Sequence, residues 1–126
     1  MMEYFSGMVV GFIVLKTSLI APTLFKMLGV EQFGVVIRAL WPKFFVALTI
    51  LGVVSMTSLV VESSDSVVHY TIAGITIAFP AICYALIPMT NRATDTGDKS
   101  RFDLLHKSSV ALTVVTLFTN IAVAFV

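Results

Sequence analysis

Charge, cysteine and tryptophan are all scarce in this chain of 126 residues. Charged side chains make up 12% of it against 58% hydrophobic ones, and the mean hydropathy is +1.01. That composition lies outside the range of soluble globular domains and points to lipid as the solvent for most of the surface. A lone cysteine, Cys83, excludes an intramolecular disulfide. With only His69 and His106 beside it, the chain also lacks the clustered four-ligand spacing of a structural zinc site, so no metal is expected. There is no glycine-rich phosphate loop, no Walker-type segment and no basic stripe beyond residues flanking apolar runs, which removes nucleotide and nucleic-acid partners from the expectation. No carboxylate sits at mid-depth of any apolar run, and neither Lys16 nor His106 has a visible partner that would tune it for acid–base work. Catalytic residues are therefore not expected, and an enzyme is the last of the functions considered.

What the chain does have is long apolar runs. A bilayer core about 30 Å thick needs about 20 predominantly apolar residues in a helix, because only a helix satisfies its own backbone groups in lipid. Tyr4–Leu28, Leu40–Val61, Val67–Pro88 and Leu104–Val126 meet that requirement. Residues 1–126 then read as one all-α domain, an integral membrane four-helix bundle. The first run is too long for the apolar part of a cleavable signal and is expected to insert as a permanent helix. The breaks carry Gly29, Glu31 and Gln32, then Glu62 to Asp65, then Asn91 to Arg101. Short connection of the second and third helices makes those two antiparallel neighbours, while the longer third break leaves the fourth helix freer. Lys26, Arg38, Lys43, Arg92, Lys99, Arg101 and Lys107 all fall on the side of the first and third breaks, and no Lys or Arg falls on the other side. By the positive-inside rule those two breaks are cytoplasmic and both termini lie on the non-cytoplasmic side, in a bacterial inner membrane or an organelle membrane. Tyr4, Trp41, Phe44 and Phe45 are placed for the headgroup zone, where they would anchor depth.

Lys16 stands out because it lies near the middle of the first apolar run. A lysine at that depth costs about 2.5–3.5 kcal/mol on insertion scales, faces the bundle interior as a rule, and marks a function often enough to be a candidate site. Oxygen partners at similar depth are the carbonyl of Thr76, released by Pro80, and the hydroxyls of Thr113 and Thr116. On the fourth helix His106, Ser109, Thr113, Thr116 and Asn120 are spaced three, four, three and four apart, which places them on one face. Such a seam reads either as interhelical hydrogen bonding or as the wall of a groove for a small ligand or ion. Gly7 and Gly11 form a small-xxx-small pair suited to close helix contact, within the chain or between copies. Ser55, Ser58 and Glu62 make a shorter polar face on the second helix. His69 and His106 begin their helices at opposite ends and cannot share one iron; methionines near His106 are more simply packing residues, so no cofactor is expected.

The order of short motifs resembles a family of small four-helix membrane proteins of largely unknown function whose eukaryotic members are similar to transmembrane protein 205. The matching stretches are Pro22-Thr23-Leu24-Phe25, Gly34, Trp41-Pro42-Lys43-Phe44-Phe45, Pro88-Met89-Thr90-Asn91 and Phe102-Asp103-Leu104-Leu105-His106-Lys107-Ser108-Ser109. The resemblance implies that Pro22, Phe25, Trp41, Pro42, Pro88, Asn91, Phe102 and His106 gather at the cytoplasmic end, which is where a site is expected. It also associates the chain with drug resistance or export without implying a mechanism. Two functions follow. The first is a structural or accessory subunit of a larger membrane complex, in contact with lipids and with other subunits or copies of itself. The second is a small-ligand or ion binding or transport protein using Lys16 and the seam of the fourth helix.

Overall fold

The computed structural model describes all residues from Met1 to Val126, and its regular structure is entirely helical. Helix α1 (Met2–Leu15) passes through one widened, π-helical turn (Lys16–Ile20) into α2 (Ala21–Val61). Then come α3 (Val67–Thr96), α4 (Lys99–Ala122) and a closing 3-10 turn, Val123–Phe125. Three helical runs are long and apolar enough to cross a membrane, Met2–Val61, Val67–Thr96 and Lys99–Phe125, so the chain is a multi-pass membrane protein. This corrects the expectation of four separate helices. The first break was expected to be a loop through Gly29, Glu31 and Gln32, yet only Gly29 leaves the helical region. Past Gly29 there is no proline until Pro42 and only one more glycine, Gly34, so nothing prevents the helix from re-forming at once.

A straight helix of 60 residues would reach about 90 Å. This one turns instead, because Gly29 adopts φ 77° and ψ 175°, a conformation that is essentially restricted to glycine. As a result Val9 and Ile13 of α1 pack in one cluster with Phe44, Phe45 and Leu48 of α2 and Cys83 of α3. A second cluster at the far end joins Met2, Leu59, Ile72, Ala73 and Val123. α2 packs along α3, α3 along α4, and α1 against both α2 and α4. The α2–α3 approach is tightest at Gly52, where a Cβ would lie 2.7 Å from the carbonyl carbon of Thr76. Only 23 of 126 residues are buried, and large apolar side chains such as Phe118, Val61 and Ile50 stay exposed, as a protein solvated by lipid requires.

The connection before α4 is also shorter than expected. α3 continues to Thr96, its threonine hydroxyls bonded to carbonyls one turn back, and the turn is made by Gly97 in the left-handed region (φ 71°, ψ 20°) followed by Asp98. The Asp98 carboxylate accepts the backbone N–H of Arg101 at 3.2 Å and caps α4. α3 and α4 are thus held as antiparallel neighbours, where the sequence pattern left the fourth helix unplaced. The turn between α2 and α3 falls where expected, with Ser66 capping α3 through the N–H of His69 at 3.2 Å. Phe44 and Phe45, expected at the headgroup level, are core residues at 4% exposure each, because the fold-back at Gly29 lays α1 over them.

Candidate ligand-binding cleft

The site begins with Pro22. Proline has no N–H to give to the carbonyl of Ser18, and its ring clashes with that carbonyl, so the preceding turn of a helix must open. Here it opens into a π turn, in which the N–H of Ala21 donates to the carbonyl of Lys16, five residues back. Lys16, Thr17 and Ser18, all on this turn, line one wall of a cleft of about 250 Å³ between the first helix and α4. The facing wall is His106, Ser109 and Thr113 of α4, and Trp41 and Phe45 of α2 form the floor. Ile13, Val14, Val110, Val114 and Leu117 complete the lining. Val14, Thr17, Ser18, Val110 and Val114 are themselves exposed, so the cleft opens sideways between the first helix and α4.

Lys16 makes no hydrogen bond and no ion pair. Its Nζ lies 4.6 Å from the centroid of the Phe44 ring and 5.4 Å from that of Trp41, within reach of both aromatic faces. The expected oxygen partners are not its contacts. Thr76 is buried between α3 and α4, where its hydroxyl donates to the carbonyl of Ile72 and accepts from Asn120. Thr116 donates to the carbonyl of Leu112, and of the three only Thr113 shares the cleft with Lys16. No carboxylate lines the cleft, so Lys16 has no counter-ion among the residues around it.

His106 is held by aromatic stacking rather than by hydrogen bonds. Phe102, one turn back on α4, stacks on it with centroids 5.5 Å apart and planes 7° from parallel, and the Trp41 ring lies 5.9 Å away, tilted by 37°. Both His106 Nδ1 and Trp41 Nε1 are buried and have no partner. A buried polar atom left unpaired costs about 1–3 kcal/mol; Ser6 Oγ, His69 Nε2 and Asn120 Oδ1 are also unpaired elsewhere in the bundle, and what distinguishes His106 and Trp41 is that both line the cleft that holds Lys16. A smaller cavity of about 20 Å³, room for about one water, continues behind Trp41 and His106 between Thr90 and Asn91.

The structure divides the polar seam of α4. His106, Ser109 and Thr113 face the cleft, whereas Thr116 and Asn120 are buried against α3, where Asn120 Nδ2 donates to Thr76 Oγ1 at 2.9 Å and to the carbonyl of Thr116 at 2.8 Å. Of the residues expected at the end carrying the basic loops, Trp41, Asn91, Phe102 and His106 come together. Pro22 acts through the turn it opens, Phe25 packs edge-on to Phe33 at 5.2 Å, and Pro42 and Pro88 lie inside α2 and α3 away from the cleft. Sequence reasoning missed the contact of Trp41 with His106, since it joins residues 65 positions apart. It also missed the π turn, although Pro22 was the signal for it.

A model of a domain of unknown function, DUF4149, matches residues 5–99. The chain belongs to the DUF4149 family. The match spans α1, the π turn with Lys16, α2 with Trp41 and all of α3, and it stops at the first residue of α4. One wall and the floor of the cleft are therefore family territory, while His106, Ser109 and Thr113 lie past the matched segment. No curated protein and no solved structure matches the chain.

Proposed function

We propose that this DUF4149 protein binds a small ligand that enters from the bilayer through the cleft between the first helix and α4. The observation that carries this reading is the pair of buried, unpartnered groups, His106 Nδ1 and Trp41 Nε1, beside a lysine with no counter-ion in the same cleft. The small-ligand or ion reading of Lys16 and the α4 seam accounts for these features within one chain, whereas an accessory-subunit role would need a partner's residues to pair with Lys16. On this reading the chain crosses the membrane four times, because the fold-back at Gly29 divides the long helical run into two legs that each exceed the bilayer core. The first and third turns face the cytoplasm and both ends the opposite side, which the one-sided placement of Lys and Arg supports. Kinship with transmembrane protein 205 rests on motif order and belongs to this proposal.

Native mass spectrometry of the protein extracted in mild detergent tests the reading. A retained small-molecule adduct on the wild type, absent from a Thr113→Phe variant whose side chain fills the cleft, supports it. Each protein at its own bare mass, with no gain in thermal stability of wild type over variant in native lipid extract, would remove it. A second reading has one observation in its favour: Gly7 and Gly11 are exposed with open space around them, which suits close contact with another copy or another subunit. The same spectra report that association.

A further inference from the structure

We infer that the ligand is a single-chain amphiphile with a carboxylate head, seated with its head at Lys16, Trp41 and His106 and its chain along Val14, Val114 and Leu117. The inference rests on the cleft being a ligand site and adds what the ligand is. Its first support is charge. Lys16 is the one amine of the cleft and no acidic side chain lines it, so a cation has no partner there while an acid, pairing as carboxylate with the ammonium, has one. A lysine held only by aromatic faces inside a membrane carries its charge most favourably when a counter-ion arrives with the ligand.

Hydrogen-bonding capacity points the same way. Lysine and the indole N–H are donors only, and His106 Nδ1 donates in one of its neutral tautomers. The Thr113 hydroxyl already donates to the carbonyl of Ser109 at 2.8 Å, and the Ser109 and Thr113 hydroxyls both lie against the Cys83 thiol, so Lys16, Trp41 and His106 are the groups left for a ligand head. A donor-rich wall is matched by a head made of acceptors. One cation among neutral donors balances one negative charge, which favours a carboxylate over a doubly charged phosphate monoester.

The third support is the gradient along the cleft. α4 runs from Lys99, beside the Gly97 turn, towards Ala122, so His106, Ser109, Thr113 and Leu117 follow one another away from that turn. The first helix runs the other way, placing Thr17 and Ser18 nearer the turn end than Lys16, and Ile13 and Val14 farther from it. Polar lining is thus concentrated towards the end bearing the basic residues and apolar lining towards the middle of the bundle. A lipid-borne amphiphile in the leaflet on that side has the same polarity, head outward and chain inward, and the sideways opening lets it enter without leaving the membrane. The volume of about 250 Å³ is just under the usual pocket range of about 300–1,000 Å³, which suits one chain and a compact head.

Trp41 is the sole tryptophan, so its fluorescence reports the cleft directly. The full chain in nanodiscs of zwitterionic lipid is titrated with bromine-tagged undecanoate, then with the matching alcohol, trimethylammonium and phosphate monoester. The expected result is saturable quenching by the carboxylate, reversed by untagged undecanoate, at least tenfold tighter than for the alcohol or the ammonium. Bromine beside the carboxyl group should quench more than bromine at the chain end. Lys16→Arg should keep the preference and Lys16→Met should abolish it; the headgroup comparison on wild type decides the matter even where a variant does not fold. Equal binding of alcohol, ammonium and carboxylate would overturn the anion class while leaving the cleft as a ligand site. A preference for the phosphate monoester would overturn the carboxylate head, and stronger quenching from the chain end would overturn the orientation. No saturable quenching by any of the four, together with an adduct in the native mass experiment, would show that the cleft binds a ligand of another class.

Discussion

Asn120 and Gly52 illustrate what single residues do away from the cleft. Asn120 is 3% exposed and joins α4 to α3 through Thr76. Interhelical hydrogen bonds inside membranes average about 0.6 kcal/mol and reach about 1.7. Asn120→Leu is therefore expected to lower stability by about 1 kcal/mol at most, since Thr76 keeps its own bond to Ile72, and unfolding in mixed micelles measures the loss. Gly52 is the opposite case. The space for its Cβ is filled by Thr76 and Ile77 backbone atoms at 2.7 and 2.8 Å, which cannot step aside as a flexible side chain would. Gly52→Ala should cost about 1–3 kcal/mol, the range for an overpacked interior, and the same unfolding measurement distinguishes it from the milder Asn120 change. The spacing on α4 placed Asn120 on an inward face, whereas the small-xxx-small spacing pointed to Gly7 and Gly11, whose surroundings within the chain are open, and not to Gly52, where the helices meet. Close approach is a property of two helices' backbones, and a single segment carries no trace of it.

At the scale of elements, one glycine and one proline shape the first helical run. Gly29 supplies the turn, and because φ 77° with ψ 175° is open essentially only to glycine, Gly29→Ala should destabilise the fold by about 1–3 kcal/mol. The loss should appear equally in contacts far from the turn. The cluster of Val9, Ile13, Phe44 and Phe45 exists only because the chain reverses there, so cysteines replacing Phe12 and Phe44, whose rings stack at 5.4 Å, should be joined less readily by a short bifunctional cross-linker in the variant. Pro22 determines the geometry of Lys16. Apolar runs, breaks and caps were legible in the sequence because they depend on local composition: the α2–α3 turn and the polar segments lie where expected. Helix ends were not legible, since residues 30–39 and 89–96 are polar enough for a loop yet retain helical hydrogen bonding beyond the apolar runs. Polarity marks where lipid stops, and backbone hydrogen bonding carries on past that limit.

For the molecule as a whole, the turn end is tied together by Arg38, which donates to both carboxylate oxygens of Asp95 and to the carbonyl of Asn91. Both partners lie beyond the apolar runs. The hydrogen bond from Arg38, assisted by its charge, holds the Asp95 carboxyl below the usual carboxylate range. A depressed carboxyl adds stability that is fully present above the unfolded value of about 3.9 and is lost as pH falls through the folded value. Asp95→Asn should accordingly lower the unfolding midpoint slightly at neutral pH and low salt and leave it unchanged in strong acid. The effect should shrink in high salt, because the pair is exposed to water.

Composition and spacing along the chain were enough to read a lipid-solvated, helical protein and to single out Lys16 and His106 as its unusual side chains. Those properties depend on composition and on spacings within one helix. Only the packed helices show that Lys16 meets Trp41 and Phe44 rather than Thr76, that the α4 seam splits between cleft and core, and that Phe102 stacks on His106 with Trp41 tilted beside it. Each of these turns on the rotation of one helix about its axis relative to another, and that rotation is set by backbone turns at Gly29 and Gly97 and by the π turn before Pro22.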